Sequence, residues 1–160
     1  MEKQKIIELI CKKLREDLEV ALSAAKFAHE TAIDEENIPD NKYDTISLEA
    51  AYLAEGEAKR VSEIEAAIKV YERVSLLTVD DSHAIKLHSL VDLVNQQGEK
   101  IRIFIGEEAG GVKFNYQGEP ITIVTVKSPL GGALIGKGAG DVVEMSINNK
   151  ITDYEIISTE

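Results

Sequence analysis

The sequence predicts an α+β chain in two parts: an N-terminal antiparallel α-helical coiled-coil hairpin over residues 1–76, then a small, mainly antiparallel β domain with one short helix over 77–160. Two observations carry this. A heptad seam runs into and out of an acidic loop, and from Leu90 onward the heptads give way to short Val-, Ile-, Phe- and Tyr-rich runs separated by turn signals. A chain of 160 residues has room for such a domain plus an elongated extension.

Ile7, Cys11, Leu14, Leu18, Ala21, Ala25, Ala28 and Ala32 recur at alternating steps of four and three. With no Pro or Gly in the stretch, this predicts a helix from Lys3 to Ile33, about 45 Å long at about 1.5 Å per residue. Cys11 falls on the seam and reads as a small buried hydrophobe. Ala50, Ala54, Val61, Ile64, Ile68 and Tyr71 continue the rhythm in a second helix over Thr45–Ser75, broken only by Glu57. A short loop obliges the two helices to lie antiparallel. Alanine seams permit close approach, so the hairpin is expected to taper toward the loop. Gly56 in the second helix suggests close packing or local flexibility.

The loop from Ile33 to Ile46 gathers five carboxylates, Asp34, Glu35, Glu36, Asp40 and Asp44. Charge repulsion opposes such density, so a mere turn has little reason to collect them. They read either as a probe that delivers carboxylates to a metal or a basic partner, or as a solvated turn. Pro39 ends the first helix, and Asp44 or Thr45 can cap the second.

Residues 76–87 read as a connector. Strands are expected at Leu90–Val94, Lys100–Gly106, Val112–Tyr116, Ile121–Val126, Val142–Ile147 and Tyr154–Ser158, with turns at Gln97-Gly98, Gly110-Gly111, Gln117-Gly118 and Asn148-Asn149. Between Ser128 and Asp141, Pro129 can open a short helix that the glycines after Ile135 stop. Gly131 to Lys137 satisfies G-x-x-x-x-G-K, but Gly138 stands where a phosphate loop needs Ser or Thr for magnesium, and a strand follows. The three histidines and Cys11 show no zinc-ligand spacing.

A net charge of -11 disfavours direct grip on duplex nucleic acid, and the absence of Trp leaves few stacking platforms for single strands. A basic protein surface is the expected partner. One cysteine, no secretory signal pattern and no apolar run near the ~20 residues of a membrane span point to a reduced, cytoplasmic protein. A monomer is expected.

The block SPLGGALIGKGAGDVVEM, the later DYEII, and KRVSEIEAAI in the second helix resemble the bacterial transcript-cleavage factors of the Gre family. That family joins a coiled-coil hairpin to an FKBP-like C-terminal domain. The resemblance implies RNA polymerase as partner, with the globular domain docking at the rim of the secondary channel through Ser128, Pro129, Leu130, Gly131 and Lys137. The hairpin would enter the channel and place its tip carboxylates, above all Asp40 and Asp44, on the polymerase's active-site magnesium. No cofactor of its own is implied, and the chain by itself would not be an enzyme.

The sequence departs from the family at two places. Tyr43 stands where the family has its second tip acid, and Asp44 follows one position later, about 100° around if the stretch is helical. Gly132 replaces the basic residue usual after S-P-I-G. The resemblance therefore admits two outcomes, stimulated transcript cleavage or inhibition by channel occupancy. Two other classes stay open: an FKBP-like peptide-binding module or prolyl isomerase, against which the few aromatics argue, and a plain coiled-coil adaptor, which leaves the acidic tip unused.

Overall fold

The structure, a computed structural model, describes residues 2–36, 44–74 and 83–160. The elements run α1 (Glu2–Glu36), α2 (Asp44–Glu72), β1 (Leu90–Asn95), β2 (Lys100–Gly106), β3 (Lys113–Tyr116), β4 (Glu119–Thr125), α3 (Pro129–Leu134), β5 (Val142–Ile147) and β6 (Lys150–Thr159). They form two compact units, one of Ile10–Arg73 and one of Met1–Leu9 with Val74–Glu160. The first nine residues, read from the sequence as the foot of the hairpin, thus group with the sheet. No helix among the described residues is long and apolar enough to cross a membrane.

In the helical unit the heptad seam is the buried stripe. Cys11, Leu14, Ala21 and Ala28 are buried on α1, with Leu18 and Ala25 half-buried, while Ile68 and Tyr71 are buried on α2. Arg15 Nη2, near the start of α1, meets Glu72 Oε1, at the end of α2, at 2.7 Å, as an antiparallel pair requires. Both side chains are largely exposed, so the pair marks register more than it stabilises. The seam thins along α2: Ala54, Glu57, Val61 and Ile64 are only half-buried. Small seam residues cover less apolar surface per turn, as the graded sequence predicts.

Two expectations are corrected. The helices extend into the predicted loop at both ends, so Asp34, Glu35 and Glu36 lie in α1 and Asp44 is the first residue of α2. Gly56 is not there for close packing, because a Cβ added to it would meet nothing within 4 Å.

The sheet unit carries a six-stranded sheet in the order β3-β4-β2-β1-β6-β5. All neighbours are antiparallel except β2 and β4. Two-residue turns close two hairpins: Gln117-Gly118 (φ 52°, 84°) joins β3 to β4, and Asn148-Asn149 (φ 52°, 62°) joins β5 to β6. Asn and Gly tolerate the left-handed backbone such tight turns require. The second turn starts β6 at Lys150 rather than Tyr154. The polar run Lys150–Asp153 does not read as strand, but the turn brings Ile147 opposite Lys150 and pairing continues from there.

One sheet face carries the main core of Val91, Leu93, Ile103, Ile105, Val143 and Ile156, closed by Leu134 of α3 and by Ile85. Ile85 lies within the predicted connector, where its NH donates to Lys137 O and its carbonyl accepts from Gly136 N at 2.7 and 2.8 Å. The opposite face buries Phe104, Ile121 and Ile123 completely, with Leu90, Phe114 and Tyr116 nearly so. The Tyr116 hydroxyl lies 3.4 Å from Glu2 Oε1 in the first turn of α1, which belongs to the same unit.

Candidate functional site

Two places in the fold hold the residues the sequence singles out. The first is the distal end of the hairpin. Asp34, Glu35 and Glu36 make up the last turn of α1, where no basic residue accompanies them. A helix C-terminus carries partial negative charge, so acids there oppose the macrodipole by roughly 0.3–1 kcal/mol each. Asp44, at the opposite polarity, begins α2 where an acid is favoured. Local stability thus accounts for Asp44 and not for the acids that end α1. Asp40, with Pro39 and Tyr43, lies outside the described residues. Among those described, no group of three or more His, Cys, Asp or Glu is placed to hold a metal ion.

The distal half of the hairpin also shows something the seam pattern does not announce. Val20, Leu22 and Phe27 on α1 and Leu48, Tyr52 and Leu53 on α2 are 47–72% exposed, whereas the large apolar residues nearer the foot are buried. Val20 and Phe27 are a heptad apart and share one flank, which is the signal by which sequence periodicity can find them.

The second place is the turn around α3. Ser128 is its N-cap: the hydroxyl accepts from Gly131 N at 3.1 Å and donates to Thr125 O at 2.7 Å. Pro129 occupies the first helical turn, where a missing NH costs nothing. Gly131 is buried, and a Cβ there would lie 2.0 Å from Thr125 O, so the helix rests directly on the end of β4. The chain leaves α3 through Gly136 at φ 81°. Of the five residues expected to dock, Ser128 and Gly131 therefore hold the turn in shape, Leu130 packs against the core, and Pro129 and Lys137 face solvent beside the exposed Gly132 and Ile135. Strand β5 follows rather than a long helix, so the glycines serve the turn and not a phosphate.

Away from α3, Arg102 binds Asp92 bidentately at 2.6 and 2.9 Å and reaches Glu119 at 2.9 Å, while Ser158 Oγ donates to Asp92 at 2.9 Å. The Arg102 hydrogen bond lowers the Asp92 pKa and raises that of Arg102. His88 sits at φ 66°, stacked on Phe104 with centroids 6.0 Å apart. Its Nε2 is buried 3.5 Å from Glu107, with no hydrogen-bond partner among the described residues. Burial lowers its pKa, opposed by Glu107 and aided by Lys3.

The family model described as "Transcription elongation factor, GreA/GreB, C-term" matches residues 80–160. Transcription elongation factor GreA of Brucella canis is 32% identical over 112 residues, 69% of this chain and 64% of that protein. GreA of Brucella melitensis biotype 2 aligns with the same figures. The chain thus spans 64% of the length of these curated relatives. Among solved structures, the GreA factor homolog 1 (Gfh1) protein of Thermus thermophilus aligns over 94% of both chains with 23% identity and a TM-score of 0.39.

Proposed function

The chain belongs to the GreA/GreB family of transcription elongation factors, and from that premise we propose that it regulates RNA polymerase by entering the secondary channel. The α3 turn docks at the channel rim, and the hairpin brings its distal carboxylates to the polymerase's active-site magnesium. The observation that carries this reading is the gathering of Asp34, Glu35 and Glu36 in the last turn of α1, against the helix dipole, with Asp44 opening α2 across the loop.

Magnesium is a hard cation that prefers carboxylate and water oxygens, and a weakly held second ion gains from extra oxygen ligands. Asp40 and Asp44 supply such ligands in this reading. Catalysis then belongs to the polymerase, and the chain is not itself an enzyme. The shifted second acid, with Tyr43 before Asp44, favours regulation by occupancy over efficient cleavage. The exposed Val20, Phe27, Tyr52 and Leu53 give the distal hairpin apolar contacts for the channel wall.

The test is transcription with purified polymerase, scored for cleavage of stalled transcripts and for inhibition of elongation across a magnesium series. Asp40→Asn with Asp44→Asn removes charge while keeping size and capping ability. The double variant is expected to bind polymerase as tightly as the parent and to lose its effect on the active centre. Full retention of the effect at every magnesium concentration would reduce the tip acids to a solvated turn.

A further inference from the structure

We propose that the outer face of the β5–β6 hairpin is a docking surface for a basic, amphipathic segment of a second protein. Strand alternation divides this hairpin cleanly. Val143, Met145 and Tyr154 turn toward the core that α3 closes, so the paired positions Val142 with Glu155, Glu144 with Asp153, and Ser146 with Ile151 turn to the opposite side. Toward β3, β4 and β2 that side is buried at Phe104, Ile121 and Ile123, but over β5 and β6 it is open. Val142 and Ile151 are each 58% exposed and Ile157 is 48% exposed.

The face is frustrated as a free surface. Glu144 and Asp153 are directly opposite across the strands, and like charges in that relation destabilise a sheet. Glu155 lies one pair further along, and among the described residues these acids accept a side-chain hydrogen bond only at Asp153, from Gln96 at 3.0 Å. Three acids set among exposed aliphatic residues call for a partner with basic and apolar groups alternating at similar spacing. Beside Ile157 a cleft of about 310 Å3 is lined by Pro120, by the strand segments at Leu93 and Ile101, and by Asp92, Glu119, Arg102 and Lys100, two acids against two bases. Arg102 there is already paired with Asp92 and Glu119, so Pro120 and Ile157 are the side chains that offer an apolar wall to the partner.

Charge also selects the occupant. A second copy would bring the same three acids and a net charge of -11 against this face, and nucleic acid would bring phosphates. The face lies on the side of the sheet away from α3, so a molecule held at α3 leaves it free. The inference does not depend on the polymerase reading.

The probe is a synthetic amphipathic peptide of Leu and Lys, with a Leu–Glu peptide of the same pattern as control, titrated into the full chain at physiological salt by fluorescence anisotropy. Backbone amide shifts map where it binds. Shift changes are expected on β5, β6 and the cleft. Val142→Ser with Ile151→Ser keeps every charge, and Glu144→Lys with Asp153→Lys keeps every apolar group; each pair is expected to weaken the Leu–Lys peptide at least about tenfold. Both alter exposed positions, and circular dichroism checks that the fold persists. Glu63→Lys with Glu65→Lys on α2 is expected to change binding less than about twofold. The proposal is overturned if either β5–β6 variant remains folded and binds as the parent does, if the Leu–Glu peptide binds equally, or if the α2 variant loses as much. A parent dimer that Ile151→Ser dissolves in sedimentation would make a second copy the occupant and overturn it as well.

Discussion

Gly131 has no space for a side chain, since a Cβ would lie 2.0 Å from Thr125 O and 2.8 Å from its carbonyl carbon. Backbone on backbone cannot yield as a flexible side chain can, so Gly131→Ala is expected to lower stability by about 3 kcal/mol, at the upper end for overpacking. Gly132, one residue on, is exposed and its Cβ would make an ordinary 3.4 Å contact with Val126 O. Gly132→Arg should leave the melting temperature nearly unchanged. It restores the basic residue of the family pattern, so any change it makes in polymerase affinity reports on the docking turn. His88 sets a pH dependence. Its folded pKa lies below the unfolded value of about 6.5, so the unfolded chain takes up the proton first. The contribution is fully present above about pH 6.5 and is lost as pH falls below it. Asp92, also lowered, adds a loss only at more acid pH, below its unfolded value of 3.8. Melting scans between neutral pH and pH 5 should show a fall in stability, and His88→Asn, which tolerates the positive φ, should flatten it.

The hairpin helices place their one irregular seam residue where it costs stability. Glu57 Oε2 is buried without a hydrogen-bond partner among the described residues, and the antiparallel register puts buried Ala28 about level with it. An unsatisfied buried oxygen costs about 1–3 kcal/mol. Glu57→Leu is therefore expected to stabilise the hairpin by about 1–2 kcal/mol, seen as a higher urea midpoint. Gly56→Ala, with open space around the Cβ, should add about 1 kcal/mol through helix propensity alone. Periodicity made these helices legible because a heptad seam is a local pattern, and the strands likewise wherever both faces are apolar. Lys150–Asp153 was not legible as strand, since its pairing depends on a turn and on β5 rather than on its own residues. Ser128 and Gly131 were legible as a motif but not as to role: an N-cap and a steric contact with Thr125 depend on a strand end that sequence spacing does not position.

At the scale of the whole molecule, the linear boundary after residue 76 and the compact units differ at the N-terminus. Hydrophobic spacing assigns Ile6 and Ile7 to one helix but cannot say what they bury against. Both are buried, 0% and 5% exposed, within the segment Met1–Leu9 that groups with the sheet. The sheet face away from α3 holds Phe104, Ile121 and Ile123 at 0% exposure, with Glu2 reaching Tyr116 there. Ile6 follows Glu2 by one helical turn on the same flank, so the foot of α1 is placed over part of that face. A fragment of residues 77–160 is therefore expected to expose it, to bind a hydrophobic dye, and to melt well below the full chain. Burying one large apolar side chain contributes about 1.5–3 kcal/mol, so losing cover from several removes much of a small domain's stability. Adding the fragment 1–76 in trans should quench the dye and raise the melting temperature, while a variant of that fragment with Ile6→Ser and Ile7→Ser should do neither. If residues 77–160 alone melt with the full chain and bind no dye, the foot of α1 contributes nothing to the sheet unit, and the globular domain can be assayed for polymerase binding by itself.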